Sequence, residues 1–458
     1  MRNFRRASII AGILLLGAAL TGHAGDSRAA PVPTTGALNA IGSGVRYDVC
    51  ATCPDTELTT IPWNKLTAGS VVNIFYRAAP YKTKIALRVS GTATAPIIIN
   101  GVVDAAGNRP VISGDGAVTA TSNANTGIYS NEHPEYGEGL ALILIKRSQT
   151  TDPLGYKAKF LQIRNLELRS TYGRSFTAQN GKAKPYPPWV AGIWADVVED
   201  LTIDNVLVTD HAFGIFINNR NANGMVDAET SKRITVRNSQ VFGNGRVGSY
   251  LEHNLYLQGV GCTLEGSTIG TLRPGAAGAS YKDRCSGSVI RNNTIHCAAR
   301  CLDLVHDESS SNAATRDSPT DTAPDYDTAI VTGNKITSSI SISCIHFGGD
   351  NLGEGAGPFP TYRNGPLIFN DNECTIANLP ADWDWRAYVF DIQHIAGRVS
   401  ASGNKIRITV RQGSNSAAWL RAFGTVELGA NDAPGLIDAS DKAVAGQYKV
   451  NHELRSPP

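Results

Sequence analysis

Residues 214–218, 254–258, 280–284, 302–305 and 344–347 can be laid over one another, and most of them alternate apolar and other side chains. A repeat of two is that of a half-buried strand. It predicts that Ile215 and Ile217, Leu255 and Leu257, Leu302 and Leu304, and Ile345 and Phe347 point inward. The other side of these segments then forms one outward column: Phe216, Tyr256, Lys282, Asp303 and His346.

A second phrase, apolar-x-apolar-x-x-Asn-x-apolar, recurs through the chain. Its copies carry Asn165, Asn205, Asn238, Asn293, Asn334, Asn372 and Asn404, and one copy has Gly266 in place of Asn. Successive copies lie 27 to 41 residues apart. Such periods belong to solenoids and propellers, and the uneven spacing favours coils with loops of variable length over uniform blades. The expected fold class is all-β, a single-stranded right-handed parallel β-helix with long loops. Each coil supplies two or three short strands, each paired with its equivalent one coil away. Asn tolerates left-handed backbone geometry, which suits a tight bend between sheets, and stacked copies can bond through their amides. A β-sandwich with recurring Asn-Gly turns is the alternative, but it does not require one phrase repeated along the chain.

Residues 1–24 stand apart. Arg2, Arg5 and Arg6 precede a short apolar run and Ala24, the order of a signal peptide, with Ala30 as a second cleavage point. The expectation is a bacterial protein exported to the periplasm or beyond. No apolar run is long enough for a membrane span. The β-helix is expected over residues 31–430, with a C-terminal cap or tail over 431–458. Residues 123–136, 171–189 and 307–327 read as loops. Tyr172, Tyr186 and Trp189 in the second of these either stack on sugar rings or pack the loop down.

Composition adds three constraints. The 46 Gly and 2 Met fit short strands with frequent turns. A net charge of +2 gives no electrostatic footprint for nucleic acid. Eight Cys in an exported chain are expected as disulfides, Cys50 with Cys53 locally, while the pairing of Cys262, Cys285, Cys297 and Cys301 stays open. A monomer is expected.

The densest chemistry is His253-Asn254-Leu255-Tyr256, then Tyr281 to Cys285, then Asp303 to Asp307. These clusters are about one coil apart. Lys282, Arg284, Tyr256, His253 and Asp303 are therefore the candidate catalytic residues. Phe216, Asn254, His346, Arg300, Tyr172 and Trp189 are the candidate substrate contacts. A polar solvated face is the plain alternative.

The sequence His253-Asn-Leu-Tyr256, Lys282-Asp-Arg284, Val289-Ile-Arg-Asn-Asn-Thr-Ile295 and Asp303-Leu resembles exported bacterial right-handed β-helix proteins similar to the chondroitin- and alginate-type polysaccharide lyases. Residues 63–114 likewise resemble the opening of secreted polysaccharide-acting β-helix proteins. The resemblance implies cleavage of an acidic, uronate-containing polysaccharide by β-elimination. Lys282 matches the position of the base. An Arg assists one rung on in those lyases, but this chain has Val305 before His306. Calcium is the cofactor the resemblance brings, yet residues 275–280 hold no carboxylate to bind it; no cofactor is otherwise required and no metal ligand is assigned. Arg284 or Arg300 would then neutralise the substrate carboxylate, and Tyr256 or His253 would protonate the leaving oxygen. A glycoside hydrolase on the same fold would need two carboxylates, Asp303 with Asp283 or Asp307 with Glu308. A non-catalytic polysaccharide-binding or surface β-helix protein is the remaining alternative.

Overall fold

The structure, a computed structural model, describes residues 44–123, 127–129, 137–148, 150–153, 155–219, 229–305, 328–338, 343–348, 365–377, 388–393, 398–408, 418–422, 425–432 and 448–451. The candidate signal peptide and residues 306–327, with His306, Asp307 and Glu308, lie outside them.

Three ladders of parallel strands run through the chain. The first takes in Thr83–Leu87, Ala141–Ile145, Ala191–Asp196, Phe213–Asn218, Leu255–Glu265, Ala279–Ser286, Arg300–Val305, Ser343–Gly348 and Tyr388–Gln393. The second begins at Arg46–Val49 and passes through Val71–Phe75, Ile97–Val102, Ala158–Arg164, Val198–Asp204 and Lys232–Arg237. The third has nine strands, from Val111–Ser113 to Lys405–Ile408. Each strand pairs in parallel with its equivalent one coil away. This is a right-handed parallel β-helix, the hand that parallel crossovers almost always take. A β-sandwich, built on antiparallel hairpins, is excluded by this pairing. Near the C-terminus Tyr448–Asn451 pairs antiparallel with Thr425–Leu428.

The period of two places the core as expected. Ile193, Ile215, Leu255, Leu302 and Ile345 form one inward stack on the first ladder, all 0–1 % exposed. The third segment breaks the apolar pattern, for Tyr281 and Asp283 are the inward residues there. Asp283 is fully buried. Its carboxylate accepts from Tyr281 Oη at 2.8 Å, the Cys285 backbone N–H at 2.7 Å and Ser288 Oγ at 3.0 Å. A buried acid is tolerated only when donors surround it this way.

The repeated Asn phrase spans the bend between the second and third ladders, and it conflates two adjacent positions. Asn165, Asn205 and Asn238 adopt positive φ of 51–56°. Gly266, Asn292, Gly333, Asp371 and Gly403 take that place in later coils. Asn293, Asn334, Asn372 and Asn404 sit one residue further on and are buried. Each of these four gives a side-chain N–H to the side-chain oxygen of the next, at 2.8–3.2 Å, ending on Asn431. An earlier stack, Asp48, Asn73, Asn100, Asn165 and Asn205, is bonded the same way.

All eight cysteines are paired: Cys50–Cys53, Cys262–Cys285, Cys297–Cys301 and Cys344–Cys374. Disulfides on this scale belong to oxidising compartments, as in exported chains. Among the described residues no helix is long and apolar enough to cross a membrane.

Candidate functional site

The first ladder carries the outward column, and its register is continuous. Trp194 pairs with Phe216, Phe216 with Tyr256, Tyr256 with Lys282, Lys282 with Asp303, and Asp303 with His346. Strand neighbours lie about 4.8 Å apart, so these side chains are stacked in reach of one another. Trp194 was not among the expected residues. The signal was present, since Ala191–Asp196 shows the same alternation. Two positions along, a second outward row runs from Asp196 and Asn218 to Gln258 and Arg284.

The column changes character along the axis. Its N-terminal rungs are aromatic: Trp194 and Phe216 have ring centroids 4.3 Å apart, and Phe216 and Tyr256 5.0 Å. Trp189 packs against this cluster. Its C-terminal rungs are charged. Lys282 Nζ and Arg300 Nη1 both lie 3.1 Å from Asp303 Oδ2, and His346 Nδ1 lies 3.8 Å from Oδ1. Tyr256 joins the halves, its hydroxyl oxygen accepting from Arg284 Nε at 2.7 Å and Gln258 Nε2 at 3.0 Å. Gln258 was also missed, although its parity equals that of Tyr256.

The column is an outward face without being an open one. Tyr256, Lys282, Asp303 and His346 are each at most 8 % exposed, and Arg284 is 1 % exposed. Arg300 is the exception, with a side chain 42 % exposed. Charges held out of water interact more strongly than charges on an open surface. Two cations, Lys282 and Arg300, share the one carboxylate of Asp303, and Arg284 stands nearby on Tyr256.

His253 resolves a question that parity left open. The chain bends before Leu255, which puts the ring beside Tyr256, 5.4 Å between centroids, instead of in the helix interior. It is buried, and Nδ1 accepts from the Ala279 backbone N–H at 2.8 Å, which leaves the proton on Nε2. Burial, reinforced by the nearby Lys282, pushes its pKa down to about 3. His211, hydrogen-bonded to Thr171 Oγ1, is pushed by burial to about 3 as well. Both are neutral when folded, whereas the unfolded chain protonates its histidines near 6.5. Below that pH the unfolded state binds more protons, so stability falls as pH drops from about 6.5 toward 3. Thermal melts across this range should show the fall, with a shallower slope in His253→Gln.

The placement of three further groups bears on what they can do. Asn254 has the parity of the outward residues but sits at the bend, fully buried. Its side chain donates to Gly270 O and accepts from Asn244, so its bonds hold the turn. Tyr172 stacks under Arg273 at 3.8 Å and accepts from the Val247 N–H, which ties two loops together. Tyr186 likewise packs on Phe176 and donates to Gly114 O. Of the three loop aromatics only Trp189 joins the aromatic rungs. Finally, Asp283 and Asp303 lie on opposite sides of the sheet, so they cannot flank one sugar bond. Among the described residues no group of three or more His, Cys, Asp or Glu side chains is gathered to hold a metal ion.

No family model matches the chain, and no curated protein does. Solved structures similar to it include an alginate lyase from Paenibacillus sp. strain FPU-7, 14 % identical, spanning 74 % of this chain and 91 % of that one at a TM-score of 0.37. A pectate lyase is 13 % identical over 83 % of this chain and 74 % of that one, at 0.32. The pectin methylesterase of Aspergillus niger is 8 % identical over 82 % and 93 %, at 0.34. The continuous strand register of the chain itself makes it a right-handed parallel β-helix protein.

Proposed function

We propose that the protein acts on an acidic polysaccharide and cleaves a uronate unit by β-elimination. The observation that carries this reading is the stacking of Tyr256, Lys282, Asp303 and His346 on successive rungs, flanked by Arg284 and Arg300. A positive cluster holding one buried carboxylate suits an anionic sugar.

In this reading Lys282 removes the proton next to the sugar carboxylate. The C–H electrons form the new double bond, and the glycosidic C–O bond breaks. As the base, Lys282 must meet the sugar as a neutral amine; Arg300 shares Asp303 Oδ2 with it, so that buried acid keeps a charged partner in that state. Arg300 and Arg284 face the charge that builds on the sugar carboxylate. Tyr256 returns a proton to the leaving oxygen. Its oxygen accepts from Arg284 and Gln258, so the guanidinium meets the charge left behind. His253, neutral at physiological pH, is the poorer acid of the two candidates.

The test is a panel of uronate polymers, each followed by ultraviolet absorbance of the unsaturated product and by reducing ends. Absorbance rising with chain ends supports elimination. Chain ends without absorbance mean hydrolysis. Retarded migration of the protein in a glycan-containing gel with neither signal means a binding protein.

A further inference from the structure

The corner between Gln240–Phe242 and Leu255–Glu265 holds an unusual surface. Val247, Tyr250 and Leu251 are 58 %, 67 % and 55 % exposed, three of the few large apolar side chains left in water among the described residues. The loop that carries them is fixed on both sides. Gly248 N–H donates to Gly275 O at 2.8 Å, and Ala277 N–H donates to Ser249 O at 2.9 Å. Val247 N–H reaches Tyr172 Oη, Arg273 Nη1 reaches Gly245 O at 3.1 Å, and Arg246 pairs with Glu252 at 3.1 Å. At Gly245, where φ is 107°, a Cβ would come within 2.7 Å of Ala276 Cβ, so close packing against the next coil demands glycine there. Apolar side chains held outward on a braced loop forgo burial, and such patches mark contact sites.

Position in the chain narrows the occupant. Leu251 stands two residues before His253, whose ring packs on Tyr256, so the loop leads directly into the strand Leu255–Glu265 that carries Tyr256. A second copy of the chain is a poor fit. A stable interface takes about 800 Å² from each partner, and three side chains on one loop tip supply a fraction of that. A sugar ring, with one apolar face and a polar edge, matches a lone Tyr flanked by aliphatic groups.

We propose that Tyr250, with Leu251 and Val247, is a stacking platform for a sugar unit one or more residues from the one that reacts. This rests on the polysaccharide reading above. The platform sets affinity for longer chains and takes no part in the chemistry.

The experiment compares wild type, Tyr250→Ala, Tyr250→Trp and Leu251→Ser on the uronate polymer that wild type cleaves, or by gel retardation if it only binds. The expected result is a KM or apparent Kd raised about tenfold in Tyr250→Ala with kcat unchanged, and near wild-type values in Tyr250→Trp. Unchanged KM or Kd in Tyr250→Ala and Leu251→Ser overturns the platform while leaving the reading intact. Wild type that neither cleaves nor binds any uronate polymer removes the reading and the platform together. A wild-type dimer that dissociates in Tyr250→Ala on sedimentation overturns the platform in favour of self-association.

Discussion

Lys282→Ala is expected to lower turnover on the cleaved polymer by about a hundred- to ten-thousand-fold, the usual contribution of a positioned general base. The fold should survive, because Arg300 still pairs Asp303 and the lost side chain faces outward. Lys282→Arg discriminates between two roles for the same side chain. If Lys282 serves only as a charge, arginine supplies it and activity returns. If Lys282 takes the proton, arginine fails, since a guanidinium does not lose its own in a protein. Binding of the polymer, measured separately, should change little in Lys282→Arg. Full activity in either variant would remove Lys282 from the chemistry.

Asp283→Ala carries the largest expected effect on stability. It leaves the Tyr281 hydroxyl, the Ser288 hydroxyl and the Cys285 N–H in the dry interior without this acceptor. A buried donor that loses its acceptor costs about 1–3 kcal/mol; Ser288 Oγ keeps Cys285 O at 3.3 Å as a second acceptor, so a loss of about 2 kcal/mol or more is expected from the other two. The urea midpoint and melting temperature should both fall. The neighbouring rungs show the remedy, since Leu257 and Leu304 occupy the same inward stack. Asp283→Leu combined with Tyr281→Phe and Ser288→Ala removes two of the three donors along with the acid. It should recover most of the loss. If Asp283→Ala is as stable as wild type, the buried network is not holding this coil.

These two neighbours mark what could be read from residues alone. The outward column was legible because side-chain parity is local and the coil supplies the register. Lys282 therefore fell beside Tyr256 and Asp303 without any tertiary knowledge. Asp283 was legible as inward by the same parity, yet an acid in a core looks wrong until its donors, two and five residues away, are seen. The bend before Leu255 defeated parity for His253 and Asn254. A turn reverses which side is inside, and nothing in those two residues announces it. The Asn phrase showed where the sheets bend, but not that two adjacent positions share the work, one adopting left-handed backbone and the next supplying the buried amide. Burial of the column was not legible at all, since it depends on neighbouring segments and not on the strands.

The two amide stacks have opposite electrical sense. In the earlier one each side-chain N–H points back toward the N-terminus, from Asn205 to Asn165 and on to Asn73. In the later one each points forward, from Asn293 to Asn431. Aligned amide dipoles reinforce one another. Both stacks therefore turn their oxygen ends toward the coils between them, residues 205 to 293, and these are the coils that carry Lys282 and Arg284.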